Sequence, residues 1–203
     1  MSETLIICAT TRLAQTLRGE LPSGQAVWRT PRTATLGQWL AEQADAMQVA
    51  GDAELPAPLD PYAERLLWEK VVAASLDAAS PLFDLPAMAA AAADAHALCR
   101  TWGLAPAAVS DECRLFAAWQ ADFERRCRAA GWLDAAGFQA EVIERIEAGR
   151  GRLPETVQFA GFDRPTPLEL RLRGALAARG VVVGERPAGQ PGADRKSTRL
   201  NSS

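Results

Sequence analysis

The chain is poor in histidine and lysine. His96 is its single histidine, and Lys70 and Lys196 are the only lysines among 22 basic residues. One histidine excludes multi-histidine metal centres. A Ser-His-Asp triad would have to use His96, and no nucleophile elbow accompanies it. The lysine shortage bears on nucleotide chemistry, because a P-loop needs a lysine in one particular loop. No apolar run approaches the roughly 20 residues that span a bilayer, and the first residues lack the basic, apolar, small-residue order of a secretory signal. Cys8, Cys99, Cys113 and Cys127 are too far apart for a metal knuckle. They read as reduced, mostly buried thiols. The formal charge of −3 disfavours a strongly basic nucleic-acid module but leaves room for a local basic patch. These absences together point to the cytoplasm and away from membranes.

With 203 residues, 48% of them hydrophobic, the chain is long enough for one or two small domains with a core. Thr4-Leu5-Ile6-Ile7-Cys8 reads as a buried strand. Thr10 or Thr11 caps a following helix marked by Leu13, Leu17 and Leu21. Residues 25–29 read as a second strand, 30–33 as a turn, and Leu36, Trp39, Leu40 and Met47 as an amphipathic helix. Residues 51–60 read as a linker rich in Pro, Gly and Asp. Helices then follow from Asp60-Pro61, over 87–102 up to Gly103, from Ser110 to Gly131, and from Asp134. Phe116, Trp119, Phe123 and Cys127 share one face of the third, with Arg114, Arg125, Arg126 and Arg128 largely off it. After Pro154 the pattern returns to strand (157–162), helix (capping box Thr166 to Glu169) and strand (181–183). That is a βαβ unit and implies a parallel sheet. The expected fold class is α/β: a parallel sheet, residues 1–50 and 155–187, interrupted by a helical insertion at 51–154.

Residues 188–203 read as a disordered tail. Its last ten, Asp194 to Ser203, resemble the in-frame translation of a common sequencing adapter. They hold one of the two lysines in a chain that otherwise prefers arginine. The natural sequence is therefore expected to stop near Ala193, with the reading frame truncated there. The tail carries three cations against Asp194, a net +2, so the remainder stands at −5.

The turn after the first strand is where a P-loop would sit. It reads Cys8-Ala9-Thr10-Thr11-Arg12-Leu13, with neither the glycines that let backbone N–H groups wrap a phosphate nor the lysine. The strand at 157–162 is where a Walker B carboxylate would hold magnesium. Ala160, Gly161 and Phe162 stand there instead, and Asp163 arrives only in the turn. Two absences in one chain argue for a scaffold over a divergent ATPase.

The order of segments resembles the N-terminal part of bacterial AddB-like DNA repair proteins, from about Thr4 to Val183. The residues carrying it are Thr11-Arg12-Leu13-Ala14, Leu67-Trp68-Glu69-Lys70-Val71-Val72, Phe116-Ala117-Ala118-Trp119, Ala130-Gly131-Trp132-Leu133-Asp134, and Ala160-Gly161-Phe162-Asp163 with Thr166-Pro167. Superfamily 1 helicases have a similar stretch at the last of these. There Ala160 and Gly161 replace the Asp-Glu pair, Phe162 and Pro167 keep the frame, and Asp163 falls where a glutamine would be. The resemblance implies a degenerate P-loop, helicase-like fold with the helical block as its insertion subdomain. It also implies a magnesium-dependent RecB-type PD-(D/E)xK nuclease domain downstream, whose motif is absent from these residues. DNA and a helicase–nuclease partner subunit are the partners it implies.

The expected role is therefore a non-catalytic module that positions DNA for that nuclease, with Arg12, Arg29 and Arg32 as phosphate contacts and no cofactor of its own. Thr10, Thr11, Arg12, Ala160, Gly161 and Asp163 are the degenerate nucleotide-motif positions. The alternatives are a nucleotide-dependent DNA motor with a divergent site, and an interaction scaffold anchored by Trp102, Trp119 and Trp132. His96 and Cys99 stand one helical turn apart but lack further ligands, so packing is the expected role. Glu141, Glu144 and Glu147 read as a solvated helix face.

Overall fold

The computed structural model describes residues 4–19, 32–51, 55–75, 84–107 and 109–187. The elements run β1 (Thr4–Cys8), α1 (Thr11–Gly19), β2 (Arg32–Thr35), α2 (Leu36–Val49), β3 (Ala57–Pro58), α3 (Pro61–Ala73) and α4 (Leu85–Trp102). They continue with α5 (Asp111–Ala130), β4 (Trp132–Leu133), α6 (Ala135–Glu147), β5 (Thr156–Ala160), α7 (Pro167–Ala178) and β6 (Val182–Arg186). The chain forms two compact units. A sheet unit takes Met1–Trp39, Pro154–Asp163 and Val181–Ser203, and a helical unit takes Leu40–Leu153 and Arg164–Gly180. The predicted tail at 188–203 lies outside the described residues. No helix among the described residues is long and apolar enough to cross a membrane.

The sheet unit is α/β with a four-stranded sheet in the order β2-β1-β5-β6, every neighbouring pair parallel. Leu5, Ile6, Ile7 and Cys8 are each at most 1% exposed, which is why β1 reads as an unbroken apolar run. Ile6, Cys8, Ala14, Leu17 and Ala160 form one core cluster, with Leu13 packed against it. The strand expected at 25–29 lies outside the described residues. The turn expected over 30–33 is corrected at its end: Arg32 and Thr33 begin β2, paired with Leu5 and Ile6. The strand hides its identity because its two buried residues are a small alanine, Ala34, and a polar threonine, Thr33. Thr33 is 3% exposed, and its hydroxyl donates to the Ala14 carbonyl at 3.1 Å. The Arg18 guanidinium donates to the Thr33 hydroxyl at 2.7 Å and to its carbonyl at 2.5 Å. Those bonds tie β2 to α1 where a sequence scan seeks valine or isoleucine. At the end of β2, Thr35 and Gln38 exchange side-chain-to-backbone bonds at 3.0 and 3.3 Å, the reciprocal pattern that starts a helix.

In the helical unit the caps fall where the sequence puts them. Asp60 accepts from the N–H groups of Tyr62 and Ala63, with Pro61 opening α3, and Ser110 accepts from Cys113 N–H at the start of α5. Thr166 and Glu169 complete a capping box on α7. Gly103 and Gly131 close α4 and α5. The core gathers Trp68, Val71 and Val72 of α3, Ala89 and Ala92 of α4, and Trp119, Phe123 and Cys127 of α5. Trp68 and Phe123 stack with centroids 4.2 Å apart and planes 9° from parallel. Each such ring buried is worth about 1.5–3 kcal/mol, against which helix ordering must be set. The segment read as a linker contributes β3, which pairs in parallel with β4: Ala57 faces Trp132, and Pro58 faces Leu133.

Candidate functional site

Among the described residues the sheet has one topological switch point. The β1–α1–β2 connection steps to one side of β1, and β5–α7–β6 steps to the other side of β5. In open parallel sheets, ligands bind outside the carboxyl ends of the strands at such a point. Cys8 and Ala160 are the paired last residues of β1 and β5. Thr10, Thr11 and Arg12 therefore follow one strand end, and Gly161 and Asp163 follow its neighbour. The six positions expected from the sequence thus lie on or within four residues after two neighbouring strand ends.

What that edge can do is limited by what already occupies it. Ala9 N–H donates to the Ala160 carbonyl at 3.0 Å, carrying the ladder past β1. Thr10 Oγ1 accepts from Leu13 N–H at 3.1 Å and caps α1. Gly161 has a φ of +79°, and a Cβ on it would stand 2.7 Å from Leu13 Cδ2 and 3.5 Å from the Ala9 methyl. Leu13 is thus laid directly against the Gly161 backbone. The close approach that a P-loop keeps for phosphate is made here by a leucine. Phe162 turns back onto Phe159, edge to face at 5.6 Å, and Asp163 is exposed.

The three arginines expected to contact phosphate do not share one end of the sheet. Arg12 is exposed on the first turn of α1, beyond the carboxyl edge. Arg32 starts β2 opposite Leu5, three residues short of that edge, or about 10 Å along a strand. Arg29 lies outside the described residues. Sequence reasoning misses Arg186. It ends β6 opposite Ala160, and its charge bears on the Cys8 thiol. Burial pushes that thiol up, while Arg18 and Arg186 pull it down. The signal for Arg186 is the continuation of β6 through Gly184-Glu185-Arg186, polar residues on which the apolar reading stops at Val183.

The helical unit holds a second polar group. His96 Nε2 and Asp134 Oδ2 are 2.5 Å apart, with His96 1% and Asp134 7% exposed. The other Asp134 oxygen accepts from Gly137 N–H and caps α6. Arg100 Nε lies 3.9 Å from the carboxylate. The imidazole is bracketed by Phe123 at 5.2 Å and Trp68 at 5.4 Å. Burial raises the Asp134 pKa, but the His96 and Gly137 hydrogen bonds, with the His96 and Arg100 charges, outweigh it and hold the carboxyl below its usual range. Glu64 goes the other way, raised by burial and then by Asp134. Cys127 is pushed up to about 11 by burial and by the Asp134, Glu64 and Glu124 carboxylates. A thiol held protonated is no nucleophile at neutral pH. The pair therefore works as a staple between α4 and the start of α6.

The remaining candidates fall apart in space or function. Cys99 is half-buried and His96 is engaged by Asp134. Trp119 is 9% exposed and donates to Ser75 Oγ at 2.6 Å, whereas Trp102 and Trp132 are 42% and 41% exposed. Glu141 pairs with Arg145, and Glu147 with Arg171. Among the described residues, no three His, Cys, Asp or Glu side chains are grouped to hold a metal ion. No family model matches this sequence, and no curated protein matches it.

Proposed function

We propose that the chain is a non-catalytic, helicase-like module of a DNA repair exonuclease, positioning DNA for a nuclease domain carried elsewhere in the parent protein. The observation that supports this most is the packing of Leu13 onto Gly161 at the switch point of the sheet, with Thr10 spent as a cap. The motif positions of a nucleotide site stand together, and apolar contact has replaced phosphate chemistry. DNA is the partner under this reading, through Arg12 at the sheet edge, alongside a helicase–nuclease partner subunit. Magnesium belongs to the nuclease domain of the parent.

The test is fluorescence anisotropy of the full chain with labelled oligothymidine, beside titration with labelled ATP and magnesium. Tight strand binding that weakens steeply with salt is expected, without ATP binding. No binding of DNA at low salt would overturn the reading. ATP binding would replace it with that of a motor.

One observation favours a second reading, an interaction scaffold. Trp102 and Trp132 are each about two-fifths exposed in the helical unit, and aromatic side chains of that kind anchor partners. Pulldown through these two side chains, lost in Trp102→Ala/Trp132→Ala with DNA affinity unchanged, would give the scaffold precedence.

A further inference from the structure

The arginines of the helical unit are mostly neutralised locally. Arg65 pairs with Glu69, Arg125 and Arg126 with Asp122, Arg145 with Glu141, and Arg171 with Glu147. Arg150 and Arg152, like Arg128 and Arg164, break the pattern, and of these only the first two stand close in sequence. Both are exposed, and among the described residues neither has a carboxylate partner. They stand two residues apart in Gly149-Arg150-Gly151-Arg152, the loop that follows α6.

That loop lines a cavity of about 540 Å³ within the helical unit, whose far wall is the end of α2 with Met47, Ala50 and Gly51. The volume lies within the roughly 300–1,000 Å³ typical of small-molecule sites. Among the described residues its walls are small or apolar, and the charges that line it are the two unpaired guanidiniums. The loop is held in shape from behind. Arg179 donates to the carbonyls of Arg150 at 2.5 Å, Ile146 at 3.3 Å and Gly151 at 3.5 Å. Gly151, at φ +78°, lets α2 approach. A Cβ there would stand 2.9 Å from both Gln43 Oε1 and Met47 Cε. Two helices end at this cavity, and their carbonyl ends disfavour an anion. On the α6 side Arg179 covers one of those carbonyls, that of Ile146, together with the loop carbonyls of Arg150 and Gly151, so the negative end is partly countered beside Arg150 and Arg152.

We propose that this cavity is a phosphate-ester site, in which Arg150 and Arg152 bind the anion and the wall of Ala46, Met47 and Ala50 receives the apolar part of the ligand. Guanidiniums bind phosphate oxygens with paired N–H donors, which suits them to this chemistry better than lysine. The ester is carried by single-stranded DNA, which rests on the function proposed above, or by a free mononucleotide. The site adds a second phosphate contact remote in sequence from Arg12.

The experiment compares the full chain with Arg150→Gln/Arg152→Gln, with Arg12→Gln, and with Arg114→Gln/Arg125→Gln as a control of equal charge change on α5. Each is titrated with labelled oligothymidine and, separately, with thymidine monophosphate followed by NMR. Circular dichroism checks that the fold is kept. The loop pair is expected to weaken oligothymidine binding roughly tenfold and to lower the salt slope by about 1.4, near 0.7 for each phosphate no longer neutralised, with the control nearly unchanged. Oligothymidine binding that depends on Arg12 and not on the loop pair overturns the site and leaves the proposed function standing. Monophosphate binding that depends on the loop pair, with no oligothymidine binding, keeps the site and overturns the DNA reading. Equal loss in the loop and control variants, or no binding of either probe, overturns the site.

Discussion

At the carboxyl edge of the sheet, polar groups are consumed by the chain itself. Ala9 N–H goes to Ala160, Leu13 N–H to Thr10, and the gap beside Gly161 to the Leu13 side chain. The helical unit pairs one set of polar groups and leaves another beside open space: His96 against Asp134 inside, and Arg150 and Arg152 at a cavity. Both regions use the same materials, arginines and helix starts. The difference is whether the polar groups are consumed by the backbone beside a packed leucine or left exposed at a cavity. The carboxyl edge of a parallel sheet can thus be chemically closed, while a cavity in the helical unit keeps two guanidiniums exposed.

The comparison breaks most visibly at Asp134. Its two oxygens serve a buried imidazole and a helix start at once. Asp134→Ala is expected to cost about 3–5 kcal/mol, the range for a buried pair that loses one member. Urea denaturation measures it, with Asp84→Ala as a cap-only reference near 1 kcal/mol. The depressed Asp134 carboxyl also fixes a sign. A group whose folded pKa lies below its unfolded value of about 3.9 stabilises above that pH, and the contribution is lost as pH falls through the folded pKa. Asp134→Asn should therefore flatten the acid limb of the stability profile. Glu64, raised by burial, has the opposite slope: its protonated form favours the fold, and stability falls as pH rises through its titration. An unchanged acid limb in Asp134→Asn would mean that the pair is not held as a charged carboxylate.

Gly161 is the corresponding point in the sheet unit. Gly161→Ala forces a methyl to 2.7 Å from Leu13 Cδ2 and an alanine to φ +79°. The expected cost is about 2–4 kcal/mol, overpacking and left-handed backbone together. Leu13→Ala in the same chain removes the clash and leaves only the backbone cost. A double-mutant cycle should therefore show a favourable coupling above roughly 0.5 kcal/mol. Additive costs would mean that Leu13 does not fill this space, and the contrast between a closed edge and an open cavity would weaken.

Much of this is legible in the sequence. Asp60, Ser110, Asp134 and Thr166 announce helix starts because a short side-chain acceptor followed by a helical pattern has few other uses. β1 and β5 announce themselves by apolar runs, and the β5–α7–β6 spacing by its parallel crossover. β2 is not legible, because Thr33 is buried by hydrogen bonds to Ala14 and Arg18 rather than by an apolar side chain. The His96–Asp134 pair spans 38 residues, and each partner has a sufficient local explanation, packing for one and capping for the other. Arg32 fails as a companion of Arg12 for a geometric reason. A parallel strand has two ends, and residue type does not say which end a basic side chain occupies.

The smallest effect separates the two helix starts that the sequence treats alike. Thr166 is half of a capping box: its hydroxyl accepts from Glu169 N–H at 3.3 Å, while the Glu169 carboxylate accepts from Thr166 N–H at 2.7 Å. Thr10 makes one exposed bond to Leu13 N–H at 3.1 Å. Thr166→Ala should cost about 1 kcal/mol and Thr10→Ala about half that, both read by thermal unfolding. The ordering is what matters. If Thr10 is a cap and nothing more, Thr10→Ala leaves oligothymidine affinity unchanged while lowering stability. A loss of affinity larger than its loss of stability would put the Thr10 hydroxyl on a ligand, and the edge of the sheet would then be open after all.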